Sequence, residues 1–225
     1  MAGTLVRLVF LSTPRSAADF KAAAESLAAE LERSGSASAI EFGADNSHEP
    51  LAHGYTHALV ASSASSVDNE ASFSSPPFHD FTAKLAKMSS EAYLEVPFSR
   101  PLDAAESWDP VSEQYIRHLV LWRFDEDKTP DDAVTTAVNA YKMLPTALPG
   151  YFAHLETAKV LSTAKGTNTF SLNAATVALY STYLNAEAQA GFVNDDRRKK
   201  FKAEYVEPYL SKGGCLVFDF VPGAC

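Results

Sequence analysis

Apolar residues recur along this chain with two different periods, and the alternation between them predicts the elements. Residues 5–11, LVRLVFL, are apolar in both alternating sets apart from Arg7, which predicts a short strand covered on both faces. A stripe at Phe20, Ala24, Leu27 and Leu31 then follows helical spacing. Thr13-Pro14 or Ser16 opens this helix, Asp19 complements its dipole, and Gly35 closes it. The succession returns half a chain later. Residues 116–124, IRHLVLWRF, again read as a strand apolar on both faces. Thr129-Pro130-Asp131-Asp132 supplies an N-cap, a Pro for the first helical position and acids for the first turn. Val134, Val138, Tyr141 and Leu144 repeat the helical stripe.

The later segments correspond in the same way. Residues 37–42 and 150–160 read as second strands, 55–62 and 169–180 as third strands, and 93–98 and 215–221 as closing strands. Phe78-His79-Asp80-Phe81 and Arg198-Lys199-Lys200-Phe201 open further helical segments. Each half is therefore β-α-β-β-α-β, the ferredoxin-like order. Helices cover one face of each four-stranded antiparallel sheet, and the other face needs the second repeat's sheet. The pattern thus predicts an α+β fold, a pseudo-twofold α+β barrel formed within one chain. The expected boundaries are 1–98 for the N-terminal repeat, 99–114 for an acidic linker holding Pro101 and Pro110, and 115–225 for the C-terminal repeat.

Composition narrows the partners. With 46% hydrophobic and 21% charged residues the chain reads as an ordinary globular protein. A formal net charge of −9 leaves no basic surplus for phosphate backbones, so no nucleic-acid partner is expected. The densest basic run, Arg197 to Lys200, follows Asp195-Asp196 and reads as a solvated helix face. No stretch approaches the ~20 apolar residues of a membrane span, and residues 1–11 read as a first strand rather than a leader. Only Cys215 and Cys225 are present, which suits a reducing, cytoplasmic setting. The six His show no H-x-x-H or H-E-x-x-H spacing, so no metal is expected. No G-x-G-x-x-G, Walker A or G-x-S-x-G element occurs.

The motifs I-R-H-L-V-L-W-R-F, T-P-D-D, L-P-G at 148–150 and C-L-V-F-D-F at 215–220 resemble the stress-responsive A/B barrel (Dabb) family. E-F-G at 41–43 and G-Y-T-H-A-L-V at 54–60 extend the resemblance into the first half. Family members are usually single-domain chains that dimerise into an α+β barrel, so a tandem copy resembles a fused dimer. The family includes stress-linked plant proteins and cofactor-free enzymes, a polyketide cyclase and a hydroxynitrile lyase among them. Their cavities lie between helices and sheet within each repeat. The resemblance therefore implies a small apolar molecule as partner, no cofactor, an intrachain pseudo-dimer, and further self-association by stacking of barrels as an additional reading.

His118 is the leading candidate, because cyclase-like members carry a His at this place facing the cavity. Val120 and Trp122 share its face. An imidazole in an apolar pocket stays neutral near pH 7 and serves as acid or base; the alternative is a packed core His. The matching position in the first repeat is Arg7, expected to meet a carboxylate or a substrate. His57, on the face of Leu59, and His79 form a second candidate acid/base pair, against surface or packing roles. Phe78, Tyr141 and Phe192 complete the expected lining. The cyclase-like Tyr and His are not kept: Ser72 or Phe73 and Phe192 stand at the Tyr place, Phe78 and Arg198 at the His place. Two functions follow: a cofactor-independent cyclase- or lyase-type enzyme acting on an apolar carbonyl compound, or a non-catalytic stress-responsive or ligand-binding barrel.

Overall fold

The computed structural model describes residues 3–13, 17–34, 39–65, 80, 83–85, 87, 93–101, 115–160, 165–167, 170, 172 and 175–224. The expected linker, Ser72, Phe73, Phe78 and His79 lie outside the described residues, apart from linker residues 99–101. The first half contributes β1 (Gly3–Leu11), α1 (Ala17–Arg33), β2 (Ala39–Ala44), β3 (His57–Ser65) and β4 (Tyr93–Pro101). The second contributes β5 (Ile116–Phe124), α2 (Ala133–Lys142), α3 (Leu144–Ala147), β6 (Phe152–Lys159), β7 (Lys165–Thr167), β8 (Thr176–Tyr183), α4 (Ala186–Asn194), α5 (Asp196–Tyr205) and β9 (Leu210–Phe220). Among the described residues no helix is long and apolar enough to cross a membrane.

The strand order is β2-β3-β1-β4 in the first half and β6-β8-β5-β9 in the second, with every neighbour antiparallel. These are the same order, so the chain is two ferredoxin-like repeats. The central strands explain themselves: β1 and β5 are flanked on both sides and bear apolar residues on both faces. Val6, Leu8 and Phe10 of β1 meet Leu119, Leu121 and Phe218 in the core between the sheets. Val9 and Leu11 turn the other way, onto Phe20, Ala24 and Leu31 of α1. Val120 and Trp122 likewise turn onto Ala137, Tyr141 and Phe192 of the C-terminal helices. Removing each such Leu or Phe from water stabilises the fold by roughly 1.5–3 kcal/mol.

The sheets are tied by exchange of their long second connections. β7, from the segment joining β6 to β8, pairs with the outer edge of β4 and gives the first sheet a fifth strand. Reciprocally, the connection between β2 and β3 lies along the edge of β9. There the Asn46 N–H donates to the Asp219 carbonyl (2.8 Å) and the Val217 N–H to the Leu51 carbonyl (3.1 Å). The Asp219 N–H donates to Ser47 Oγ (2.7 Å) and His53 Nε2 to the Cys215 carbonyl (2.7 Å). Each strap satisfies an edge that would otherwise present open hydrogen-bonding groups. His53 (φ 52°) and Gly54 (φ 82°) turn the strap back into β3 through the left-handed region, which is why a Gly stands there.

Four local expectations are corrected. The third strand of the second repeat runs Thr176–Tyr183 rather than 169–180, and residues 165–167 ahead of it pair with β4. Thr129 does not cap α2: its hydroxyl donates to the Asp125 carbonyl (2.5 Å) and the helix starts at Ala133. The buried stripe of α2 runs through Ala133, Ala137 and Tyr141, with Val134 and Val138 on its flanks. The last helical region starts well before Arg198, as α4 capped by Asn185, whose side chain accepts from the Ala188 N–H (2.9 Å). Asp195 then breaks it with extended backbone and caps α5, accepting from the Arg197 N–H (2.8 Å).

Candidate active site

Between the second sheet and α2, α4 and α5, side chains from seven elements face one small cavity. β5 supplies His118, Val120 and Trp122 at every second position, and β9 supplies Cys215 and Val217. Tyr141 comes from α2, Phe152 from β6, Leu179 from β8, Phe192 from α4, and Arg198 and Lys202 from α5. The cavity is about 20 Å³, room for a water molecule.

His118 is 3% exposed and Asp219 2%. Strand register brings them together, since His118 sits directly opposite Asp219 on β9 and opposite Ser181 on β8. His118 Nδ1 donates to Asp219 Oδ1 at 2.5 Å. The other carboxylate oxygen, Oδ2, accepts from Gln189 Nε2 of α4 at 2.7 Å. A carboxylate only accepts, so Nδ1 carries the hydrogen, and in the neutral ring Nε2 then presents its lone pair. Nε2 has no hydrogen-bond partner among the described residues. Tyr183 and Phe192 fix the ring plane, with centroids 4.9 and 6.2 Å from the imidazole.

Burial pushes the Tyr141 phenol well above its ordinary pKa, which keeps it a hydrogen-bond donor at any working pH. Its ring packs 4.4 Å from that of Trp122. Tyr183 is displaced upward for the same reason, and its hydroxyl is buried without a hydrogen-bond partner among the described residues. Burial also raises the Cys215 thiol, so it lines the cavity as an unionised group. Arg198 lies over the Phe192 ring, 5.3 Å from its centroid. Its guanidinium holds Glu49 of the strap, donating at 2.9 and 3.1 Å to the two carboxylate oxygens.

The first repeat is built differently at the same address. Arg7 faces Ala61 and Pro97 where His118 faces Ser181 and Asp219. Arg7 makes an ion pair with Glu95, whose second oxygen accepts from the Tyr93 hydroxyl (2.9 Å). His57 and Leu59 lie under α1, with the imidazole packed 4.1 Å from Phe20 at a tilt and Nδ1 bonded to Thr56 Oγ1 (2.9 Å). Burial holds His57 below its ordinary pKa. Tyr55 points the other way, into the core between the sheets. Thus His118, Val120, Trp122, Tyr141 and Phe192 meet at one cavity, while Arg7, His57 and Leu59 belong to the other repeat's helix-facing side. Among the described residues no group of three or more His, Cys, Asp or Glu is arranged to hold a metal ion.

Asp219 and Gln189 escaped the sequence reading. Asp219 had a usable signal: it is the one acid in the apolar run C-L-V-F-D-F, and an acid in a covered strand requires a partner. Gln189, in the small-residue run A-E-A-Q-A-G-F, had none.

Residues 116–222 match the family model of the Stress responsive A/B Barrel Domain. No curated protein sequence matches the chain. Among solved structures, a candidate monooxygenase from Lactobacillus acidophilus NCFM superposes with a TM-score of 0.58 at 13% identity, covering 98% of this chain and 94% of that one. A second candidate monooxygenase, from Fusobacterium nucleatum subsp. nucleatum ATCC 25586, gives 0.60 at 9% identity over 98% of this chain and 92% of that one. An anthrone oxidase-like protein gives 0.60 at 11% identity over 99% and 92%. At these identities the likeness is one of fold alone, and it extends over both repeats.

Proposed function

We propose that the C-terminal repeat, which matches the family model of the stress-responsive A/B barrel domain, is a cofactor-independent acid/base site for a small apolar carbonyl compound. The carrying observation is the relay Gln189–Asp219–His118, which leaves one ring nitrogen unengaged on an apolar cavity. Asp219 and Gln189 are positioning residues: they hold the tautomer and stabilise the imidazolium once it forms. His118 Nε2 removes a proton from the carbon next to the carbonyl. The C–H electron pair moves into the carbon–carbon bond and the carbonyl π pair onto oxygen, where the Tyr141 hydroxyl donates to the enolate. The imidazolium then returns its proton to carbon, completing exchange, or the enolate carbon attacks a second carbonyl, closing a ring whose new alkoxide takes the imidazolium's proton.

The test follows α-proton exchange of acetophenone in deuterated water by NMR. The intact protein is expected to accelerate exchange, and His118→Gln to lose about 10²–10⁴-fold of the acceleration with an unchanged melting temperature. Equal exchange with and without the His overturns the proposal. The cavity's narrowness favours a second reading, a barrel without catalytic work whose aromatic side chains simply fill the space. Acceleration that depends on His118 excludes it.

A further inference from the structure

The mouth of the His118 cavity carries a charge arrangement that the acid/base reading leaves unexplained. Two cations line it, Arg198 and, one helical turn on, Lys202. Asp219 pairs with neither among the described residues: its oxygens hold His118 and Gln189. Lys202 makes no ion pair among the described residues. Arg198 is paired with Glu49, whose carboxylate comes from the other repeat, on the strap along β9. The Arg198 and Glu49 side chains are 14% and 18% exposed, so the pair is partly withdrawn from water at the edge of the cavity.

A guanidinium in that position needs an anion, and its planar fork suits a carboxylate held by two hydrogen bonds. Glu49 fills that role. It is a replaceable occupant, since the strap around it is held by other groups: Ser47 and Leu51 bond to β9, and His53 bonds to the Cys215 carbonyl. The Glu49 side chain can therefore swing out without unpairing the edge. Behind the cation pair the walls are Val120, Trp122, Leu179 and Phe192, which suit an apolar body. The present volume admits only a water molecule, so entry of anything larger requires the mouth to open.

We propose that the C-terminal cavity takes an apolar carboxylic acid, whose carboxylate displaces Glu49 from Arg198, with Lys202 as the second cation. This rests on the reading of the His118 cavity as the ligand site, and it narrows the substrate from an apolar carbonyl compound to an apolar oxo-acid. Glu49 then acts as an internal competitor that keeps Arg198 neutralised until ligand arrives.

Calorimetric titration with benzoate and with its uncharged counterpart benzamide tests it on the full chain. Benzoate is expected to bind more tightly than benzamide, about tenfold more tightly still to Glu49→Gln, and about tenfold more weakly to Arg198→Gln. Benzamide affinity is expected to be the same in all three proteins. Lys202→Gln, on the rim, is expected to weaken benzoate by a smaller factor and stands in if Arg198→Gln does not fold. Equal binding of the two probes, no gain in Glu49→Gln, or no loss on removing either cation overturns the proposal. Failure of proton exchange with charge-selective binding intact removes the catalytic reading alone.

Discussion

His118 and His57 are both buried imidazoles on helix-facing strand positions, and their surroundings set them to different tasks. His118 has a carboxylate on Nδ1 and a cavity beside it. His57 has a hydroxyl on Nδ1, Phe20 against its ring, and a buried Nε2 without a hydrogen-bond partner among the described residues. Burial lowers the pKa of His57 from 6.5, so the folded state favours the neutral ring. The unfolded chain takes up the proton first as the pH falls, and stability rises with pH wherever the unfolded state binds more protons. The contribution of His57 is thus complete above 6.5 and declines below it. Urea midpoints at about pH 7.5 and about pH 5.5 are expected to differ less in His57→Phe than in the unaltered chain. An equal difference in both removes His57 as a source of acid sensitivity. Parity along β3 made the face of His57 readable in the sequence. Its packing against Phe20 depended on how α1 crosses the sheet, which no local pattern specifies.

Among the helices, α4 decides whether the relay exists, because it carries Gln189 and Phe192. Its apolar stripe is faint, since small residues dominate A-E-A-Q-A-G-F, and the helical reading accordingly started too late, at Arg198. The firm local signal is its N-cap, Asn185, whose side chain accepts the Ala188 N–H. Asn185→Ala is expected to cost about 1 kcal/mol of stability by urea unfolding, because one orphan helix donor loses its acceptor. Loss of less than a few tenths would mean that tertiary packing alone holds the helix start. By contrast, β5 and β9 were legible as covered strands, because each is apolar on both faces. The contact between His118 and Asp219 needed their pairing register, which joins residues a hundred positions apart.

The straps make the two repeats one molecule. At the end of β2, the Gly223 N–H donates to the Phe42 carbonyl (2.8 Å) and the Ala44 N–H to the Ala224 carbonyl (2.9 Å). This brings Gly43 against the end of β9: a Cβ there would meet Phe220 Cδ2 at 2.6 Å and the Val221 carbonyl at 2.7 Å. Gly43→Ala is therefore expected to lower stability by about 1–3 kcal/mol in urea unfolding, since backbone has to shift to admit one methyl. An unchanged midpoint would show that the seam yields freely. A second tie crosses the barrel, where Arg117 of β5 donates from Nε and Nη2 to the two oxygens of Glu41 in β2, at 2.6 and 2.5 Å. The E-F-G run thus has a physical account in both its polar and its small residue, and each concerns the opposite repeat.

Element order, the duplication and the identity of the two central strands were legible in the chain alone, because burial on both faces and helical spacing are written into residues near one another. His118 with its alternating neighbours was legible for the same reason, together with the family's likeness. Asp219 as its partner, Gln189 behind it, Glu49 on Arg198 and the crossing of 165–167 onto β4 were decided by the folded molecule. Each joins segments from different elements, and sheet register and strap placement, rather than any local pattern, bring those segments within hydrogen-bond distance.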